Sequence, residues 1–438
     1  MRKSFTITFS TVFLLITAKI NAQNNFVTVS GNQMMLSGKA YHYIGTNYWY
    51  GTFLEAVNGA EGKLRLKKEL DFMKSKGITN LRVLAGAEGV AVYQQRVPYA
   101  MQPEQSKYDE KYLRSLDYLL DELGKRNMKG VLFLTNNWDW SGGITEYLRW
   151  NGYGAPPAPK GYGATGNNGD HYWDDLKKYT AQFYTCKPCQ TALNNYIHVV
   201  LTRKNTINGK AYVNDPSIMA WEIANEPRPM VMANLAAFQT WISNTTAYIK
   251  SIDKNHLLTT GSEGDIAYDG NMNAYIATHS DKNIDYLTIH IWPKNWEWFK
   301  DTSIVKSFPN ITSNTNAYLA KHIQVAQKLN KPLVIEEFGL PRDKHLFAQG
   351  TTTNARDRYY QLMFDALLQS VSQKGAIAGV NFWGFGGVAK THPEGKIWKI
   401  GDDFTCDPGT EEQGLNSVFA GDQSTWKVVQ AGVSKLTP

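Results

Sequence analysis

Eight short apolar runs recur along this chain, and the stretches between them carry helical spacing. That alternation limits the folds open to it. The runs are residues 43–48, 80–85, 130–135, 218–224, 257–261, 286–291, 332–337 and 379–383. Several are almost continuously apolar, as strands buried on both faces must be. Between them, Leu64, Leu66, Leu70 and Met73 line one helical stretch that ends at Gly77. Tyr112, Leu113, Leu116, Leu119, Leu120 and Leu123 line the next, and Phe238, Trp241, Ile242, Tyr248 and Ile249 a later one. Glycine just after the last apolar position is a common helix stop. Eightfold strand–helix alternation predicts an α/β fold, a single (β/α)8 TIM barrel. An open doubly wound sheet is the alternative. It needs a glycine-rich phosphate turn after the first strand, and residues 43–51 lack one. Two short runs around Gly31-Asn32, 27–29 and 34–36, predict a β-hairpin capping the bottom of the barrel. Residues 151–170 and 389–414 lack periodicity and are rich in Gly, Pro and Asn, and they follow the third and eighth strands. They are expected as long loops at the C-terminal face, where barrel enzymes build their sites.

The first residues read as an export signal. Arg2 and Lys3 precede an apolar stretch over residues 5–17, and Asn21-Ala22-Gln23 offers a small-residue cleavage point. A membrane anchor is the alternative, but the apolar part is too short to span and Lys19 interrupts it. The expectation is a signal over residues 1–22, a secreted catalytic domain over 23–438, and no membrane association. The formal charge of +7 falls to +4 without Arg2, Lys3 and Lys19 (7 − 3). The remaining basic residues are scattered, which excludes the clustered stripe that nucleic-acid binding needs. A neutral substrate suits this balance, and a monomer is expected. Cys186, Cys189 and Cys406 are the cysteines. The first two, in a Cys-Lys-Pro-Cys run, fit a tight local bridge or reduced thiols, and an exported setting permits the bridge.

Two segments carry the chemistry. Residues 219–227 read MAWEIANEP and residues 332–339 read PLVIEEFG, each placing a glutamate at the end of a buried strand. Strands four and seven lie roughly across a barrel from one another, so Glu226 and Glu337 can flank one sugar. Glycosidic cleavage needs such a pair: an acid to protonate the leaving oxygen and a carboxylate to attack or assist at the sugar carbon. Glu226 is expected as the general acid and then base. Glu337 is expected as the nucleophile, held ionised by Arg82 in the second strand. Asn225 is placed to bond the sugar 2-hydroxyl, His290 to position the nucleophile or a hydroxyl, and Trp383 to floor the reacting sugar. Trp138, Trp140, Trp296 and Trp298 are candidates for sugar subsites, and Trp292 ends the sixth strand beside His290. Glu263 is a candidate substrate contact, Glu336 reads as a buried ion-pair residue, and Asn136 and Asn137 fit loop turns as well as ligands. The nine histidines are dispersed with no HExxH-type cluster, so no metal and no cofactor are expected.

These residues resemble glycoside hydrolase family 5, and more narrowly its endo-β-1,4-mannanase branch, over essentially the whole chain after the signal. Asn225-Glu226-Pro227 is similar to that family's acid/base motif, and Glu337-Phe338-Gly339 to its nucleophile motif. Arg82, His290 and Trp383 match the surrounding set. The narrower likeness rests on LRVLAG, LTNNWDWSGG, DPSIMAWEIANEPR, HIWPKNW and QGLNSVFAGDQSTW. The resemblance implies a retaining mechanism on internal bonds of β-mannan, glucomannan or galactomannan, without metal or cofactor. It selects Glu337 over Glu336 as nucleophile, and it places Arg228 on the leaving-group side. Trp292 departs from the family pattern, in which many relatives carry a tyrosine that donates to the nucleophile. A β-1,4-glucanase of the same fold and a non-catalytic polysaccharide-binding barrel are the competing readings.

Overall fold

The computed structural model describes residues 25–90, 96–158, 171–300, 303–392 and 394–436. The signal expected over residues 1–22 lies outside them, as does most of the glycine-rich segment after the third strand. A three-stranded antiparallel sheet comes first, β1 (Val27–Ser30), β2 (Gln33–Leu36) and β3 (Lys39–Ala40). The hairpin forms as expected, with Val27 opposite Leu36; the short third strand was not anticipated. Val27 and Met34 pack on Tyr43, Val131, Met219, Tyr286 and Val334, residues from the start of barrel strands, and so close its bottom.

The barrel strands are β4 (Tyr43–Asn47), β5 (Asn80–Leu84), β6 (Lys129–Phe133), β7 (Ile218–Glu222), β8 (Leu257–Thr259), β9 (Leu287–Ile291), β10 (Leu333–Phe338) and β11 (Ile377–Phe382). All pair in parallel in the order β8-β7-β6-β5-β4-β11-β10-β9. Contacts between the β8 and β9 segments complete the ring: Asp285 donates its backbone N–H to Leu258 O at 2.8 Å, and His290 donates to Glu263 O at 3.0 Å. Every residue of seven of the eight strands is buried, and only Lys129 at the start of β6 is not. This explains why the runs are apolar throughout rather than alternating. Two further short strands, β12 (Phe385–Gly387) and β13 (Val418–Phe419), pair above β11.

The surrounding helices are α1 (Leu54–Ser75), α2 (Glu110–Lys125), α3 (Ile144–Trp150), α4 (Tyr172–Ala181), α5 (Lys187–Leu201), α6 (Leu235–Ile252), α7 (Met272–His279), α8 (Phe308–Leu329), α9 (Asn354–Ser372) and α10 (Gln423–Leu436). α2 shows how local signals fix such an element. Asp109 accepts from Lys111 N at 2.9 Å as its cap, and Leu113, Leu116, Leu119, Leu120 and Leu123 form one buried stripe. In α1, Leu66, Leu70 and Met73 are buried, but Leu64, expected on the same stripe, is 54 % exposed. The reason is phase: Leu64 stands two residues before Leu66, on the opposite side of a 3.6-residue helix. Cys186 and Cys189 form a disulfide at the start of α5, and Cys406 is a buried free thiol. No helix among the described residues is long and apolar enough to cross a membrane.

Candidate active site

The C-terminal ends of β6 through β11 converge on one cleft of about 630 Å³. At the end of β7 the chain turns through Glu226, whose φ of +51° is a left-handed conformation that non-glycine residues rarely adopt. Its backbone N–H donates to Gly261 O at 3.1 Å, so the ends of β7 and β8 hold that turn together. The Glu226 carboxylate then faces the cleft, 8 % exposed. Glu337, near the end of β10, faces it from the other side, and one oxygen from each lies within 4.8 Å of the other. Residues distant in the chain are thus brought to one point, as their positions at strand ends predict.

Arg82 lies beneath them, fully buried, and every nitrogen of its guanidinium is used. It grips Glu222 by two bonds, Nε to Oε2 at 2.9 Å and Nη2 to Oε1 at 2.6 Å. Nη1 contacts Glu337 Oε1 and donates to Asn47 Oδ1 at 3.1 Å, while Nη2 also donates to Asn225 Oδ1 at 2.8 Å. Glu336 stands 3.6 Å from Nε. Glu222 and Asn47 were not anticipated from the sequence. The signal for Glu222 was present: a carboxylate inside a strand buried on both faces requires a buried cation, and Arg82 is such a cation in a neighbouring part of the barrel.

The two cleft glutamates have different companions. Glu226 Oε1 lies 2.7 Å from His290 Nδ1, and Trp138 Nε1 donates to Oε2. Trp292 Nε1 donates to Glu337 Oε2 at 3.2 Å, and His290 Nδ1 lies 3.3 Å from the same carboxylate. Burial raises the pKa of Glu226, opposed by the Arg228 guanidinium. Burial also pushes Glu337 well above the carboxylate range, with Arg82 the main opposing influence and the Trp292 N–H a further one. The ion pair expected to hold Glu337 ionised is therefore present, but it works against desolvation rather than alone. His290 is driven down to about 3 by burial and by Arg82, so its imidazole is neutral between its acidic neighbours.

Asn225 donates its amide to Asn136 Oδ1 at 3.1 Å, and Asn136 also accepts from Trp138 N at 3.0 Å. These bonds fix both side chains at the strand ends. Arg228 makes a two-bond pair with Glu263, at 2.5 and 2.7 Å, and its guanidinium lies 5.1 Å from the Trp138 ring centre. Glu263 lines the cleft while neutralising Arg228. Trp383, 4 % exposed, and Trp292 meet edge to face at 6.1 Å, and both line the cleft with Trp138 and Trp140. A Cβ on Gly339 would stand 3.0 Å from the Trp292 ring and 3.1 Å from Trp383 O, which accounts for glycine after Phe338. Trp298, expected at a sugar subsite, does not line the cleft. It packs edge-on against Trp296 at 5.1 Å, and Trp296 takes that place. Glu411, from the loop after β11, also lines the cleft unforeseen, its carboxyl pushed up to about 8 by burial and Asp407.

Glu226, His290 and Glu337 form the trio among the described residues spaced to hold a metal ion. The Arg82 guanidinium already contacts Glu337, so a cation there would compete with a fixed positive charge. What the arrangement offers directly is two carboxyl groups on either side of a space floored by indole rings. One is bonded to an indole and an imidazole, the other to a guanidinium and an indole.

The whole described chain has counterparts among known proteins. The family model for GH family 5 β-mannosidase-like proteins matches residues 24–437. A mannan endo-1,4-β-mannosidase 2 of Arabidopsis thaliana is 30% identical over 384 residues, covering 84% of this chain and 80% of that protein. A mannan endo-1,4-β-mannosidase 1 of Oryza sativa subsp. japonica is 31% identical over 372 residues, covering 82% and 78%. The crystal structure of a glycoside hydrolase family 5 mannosidase from Rhizomucor miehei superposes with a TM-score of 0.82 at 31% identity, covering 94% of this chain and 98% of that one. The chain belongs to glycoside hydrolase family 5, among its β-mannosidase-like members, and is a glycoside hydrolase.

Proposed function

We propose that this enzyme hydrolyses β-1,4-mannosidic bonds within mannan, glucomannan or galactomannan chains by double displacement, with net retention. The observation that carries the mechanism is the approach of Glu226 and Glu337 to within 4.8 Å. Retaining enzymes hold their carboxyl groups about 5–5.5 Å apart, whereas inverting ones need about 6.5–9.5 Å to admit a water. The mannan-type substrate is supported by the activity for which the plant relatives are named.

Glu226 protonates the glycosidic oxygen as Glu337 attacks the anomeric carbon, so the leaving sugar departs with its proton and a glycosyl ester forms on Glu337. Glu226, now a carboxylate, takes a proton from water, whose oxygen attacks the same carbon and frees Glu337. Burial keeps a proton on Glu226 for the first step. Arg82 and Trp292 hold the Glu337 oxygens and stabilise the carboxylate as a leaving group in the second. Arg82, Asn225, Arg228, His290, Trp138, Trp140, Trp292 and Trp383 serve as the supporting and substrate-binding set. The protein is exported by residues 1–22 and works as a monomer through one catalytic domain, residues 23–438.

Reducing-sugar release from mannan, glucomannan and cellulose tests the substrate, with proton NMR of the first-formed anomer testing retention. Strong release from mannan, β-anomer first, and near-complete loss in Glu226→Gln and Glu337→Gln are expected. Preference for cellulose would favour the glucanase reading, and either variant keeping its mannan activity would overturn the roles.

A further inference from the structure

The cleft is open unevenly around the barrel. Its lining comes from the ends of β6 through β11, and none of the described residues after β4 or β5 contributes. The loop after β11 is the cause. Phe404 is buried over the mouths of β4 and β5, 5.7 Å from Trp49 and 5.8 Å from Tyr99, and Trp398 stacks on its outer face at 5.6 Å. Only about 10 Å³ remains free beneath this plug, less than one sugar could use. It is anchored, not draped: Arg65 Nη2 donates to Phe404 O at 2.7 Å and Trp49 Nε1 donates to Cys406 O at 2.8 Å. Asp407 then accepts from Gly414 N and Asn416 N at 2.8 Å each, fixing the stretch whose Pro408, Thr410 and Glu411 face the cleft.

Chemistry gives this wall a direction. Glu226 protonates the leaving oxygen, so the leaving part of the chain lies on its side, near Trp138 and Arg228. The part that becomes bonded to Glu337 extends the other way, toward the plug. On the leaving side the cleft continues outward instead. Trp173, at the start of α4, is 61 % exposed and meets Trp138 edge to face at 5.9 Å and 89°. An exposed indole lining a cleft offers its face to the apolar side of a pyranose.

We propose that substrate binding is one-sided: the plug leaves room for a mannosyl unit or two before the cleaved bond, and the rest of the chain is held on the leaving side over Trp138 and Trp173. This rests on the mannosidase reading and narrows which bonds of the chain are attacked to those next to its non-reducing end. The test uses mannohexaose carrying a fluorophore at its reducing end, with products resolved at early conversion. Labelled mannopentaose and mannotetraose should dominate, and Trp173→Ala should raise KM for the hexaose about three- to tenfold, the worth of one lost aromatic face. KM for mannobiose, too short to reach Trp173, should change less than about twofold by the same reasoning. Dominant labelled mannotriose or shorter products overturn the proposal, as does an equal effect of Trp173→Ala on both substrates. An enzyme inert on every mannoside overturns the mannosidase reading and this inference with it.

Discussion

Trp292 donates its indole N–H to Glu337 Oε2 at 3.2 Å, from the second position after His290. That position departs from the tyrosine its family pattern leads one to expect, yet the bond to Glu337 is made. An indole is a donor only, whereas a phenol both donates and accepts. The substitution therefore keeps the interaction that favours the ionised carboxylate and gives up any acceptor at that point.

Removing that donor should raise the pKa of Glu337 further, because the N–H opposes the rise caused by burial. A hydrogen bond to a charged group worth about 1.5 kcal/mol corresponds to about one pH unit. The acidic limb of kcat/KM in Trp292→Phe should therefore move to higher pH by about that amount, and Trp292→Tyr should move it less. A Phe variant whose acidic limb stays in place would separate Trp292 from the ionisation of Glu337.

The Glu263–Arg228 pair bears on the other carboxyl. Arg228 lowers the pKa of Glu226 against burial, and Glu263 neutralises much of that charge. In Glu263→Gln the guanidinium is uncompensated, so Glu226 should lose its proton at lower pH and the alkaline limb on mannan should shift downward. A dinitrophenyl mannoside needs no protonation of its leaving group, so its alkaline limb should not follow. Parallel shifts with both substrates would point to a general disturbance of the cleft instead.

Much of this site is legible in the sequence because a parallel barrel turns strand order into geometry. A polar residue ending an apolar run is placed to face the mouth, and Glu226, Glu337 and Trp383 do, while His290 stays fully buried against the two carboxylates. Glu222 was hidden for the complementary reason: it precedes Ile223 and Ala224 inside an apolar run, where a glutamate looks like an interruption. Its partner Arg82 was visible, but which carboxylate it grips depends on register between β5, β6 and β7. Which of the two candidates Trp296 and Trp298 lines the cleft was hidden for a similar reason. Both are tryptophans in an irregular loop after β9, and only packing against Tyr318 at 5.0 Å fixes which one turns toward the cleft. The loop after β11 reads as glycine- and proline-containing coil, while its Phe404 and Trp398 anchors become meaningful only once β4 and β5 lie beneath them.

Arg82→Lys should show how much the guanidinium fork matters. Lysine keeps the charge but has three donors on a flexible stem, against contacts to Glu222, Glu337, Asn47 and Asn225. Loss of one charge-assisted bond to Glu337, about 1.5–3 kcal/mol, predicts a fall in kcat of about 10- to 150-fold with Glu337 as the proposed nucleophile. KM for mannan should change far less, since Arg82 is buried beneath the cleft. Equal losses in kcat and in substrate affinity would argue that Arg82 shapes the binding surface rather than the nucleophile.

Glu88 supplies a stability prediction away from the chemistry. It is buried after β5, where Oε1 accepts from Thr135 Oγ1 at 2.7 Å and Oε2 from Gly143 N at 2.9 Å. Burial pushes its carboxyl up from 4.5 to about 7 despite those bonds. The folded state therefore holds this proton more tightly than the unfolded chain. The resulting stabilisation is complete below pH 4.5 and is lost as pH rises through about 7. Glutamine has nearly the same shape and no charge to desolvate. Its oxygen can accept from Gly143 N, and its amide can donate to the Thr135 hydroxyl. Glu88→Gln should thus match the parent near pH 4.5 and exceed it at pH 8 by up to about 3 kcal/mol, read from urea unfolding at both values. A variant that gains nothing between those pH values would mean that Glu88 is ionised in the folded protein and that Arg96, beside it, carries more of its charge balance than burial removes.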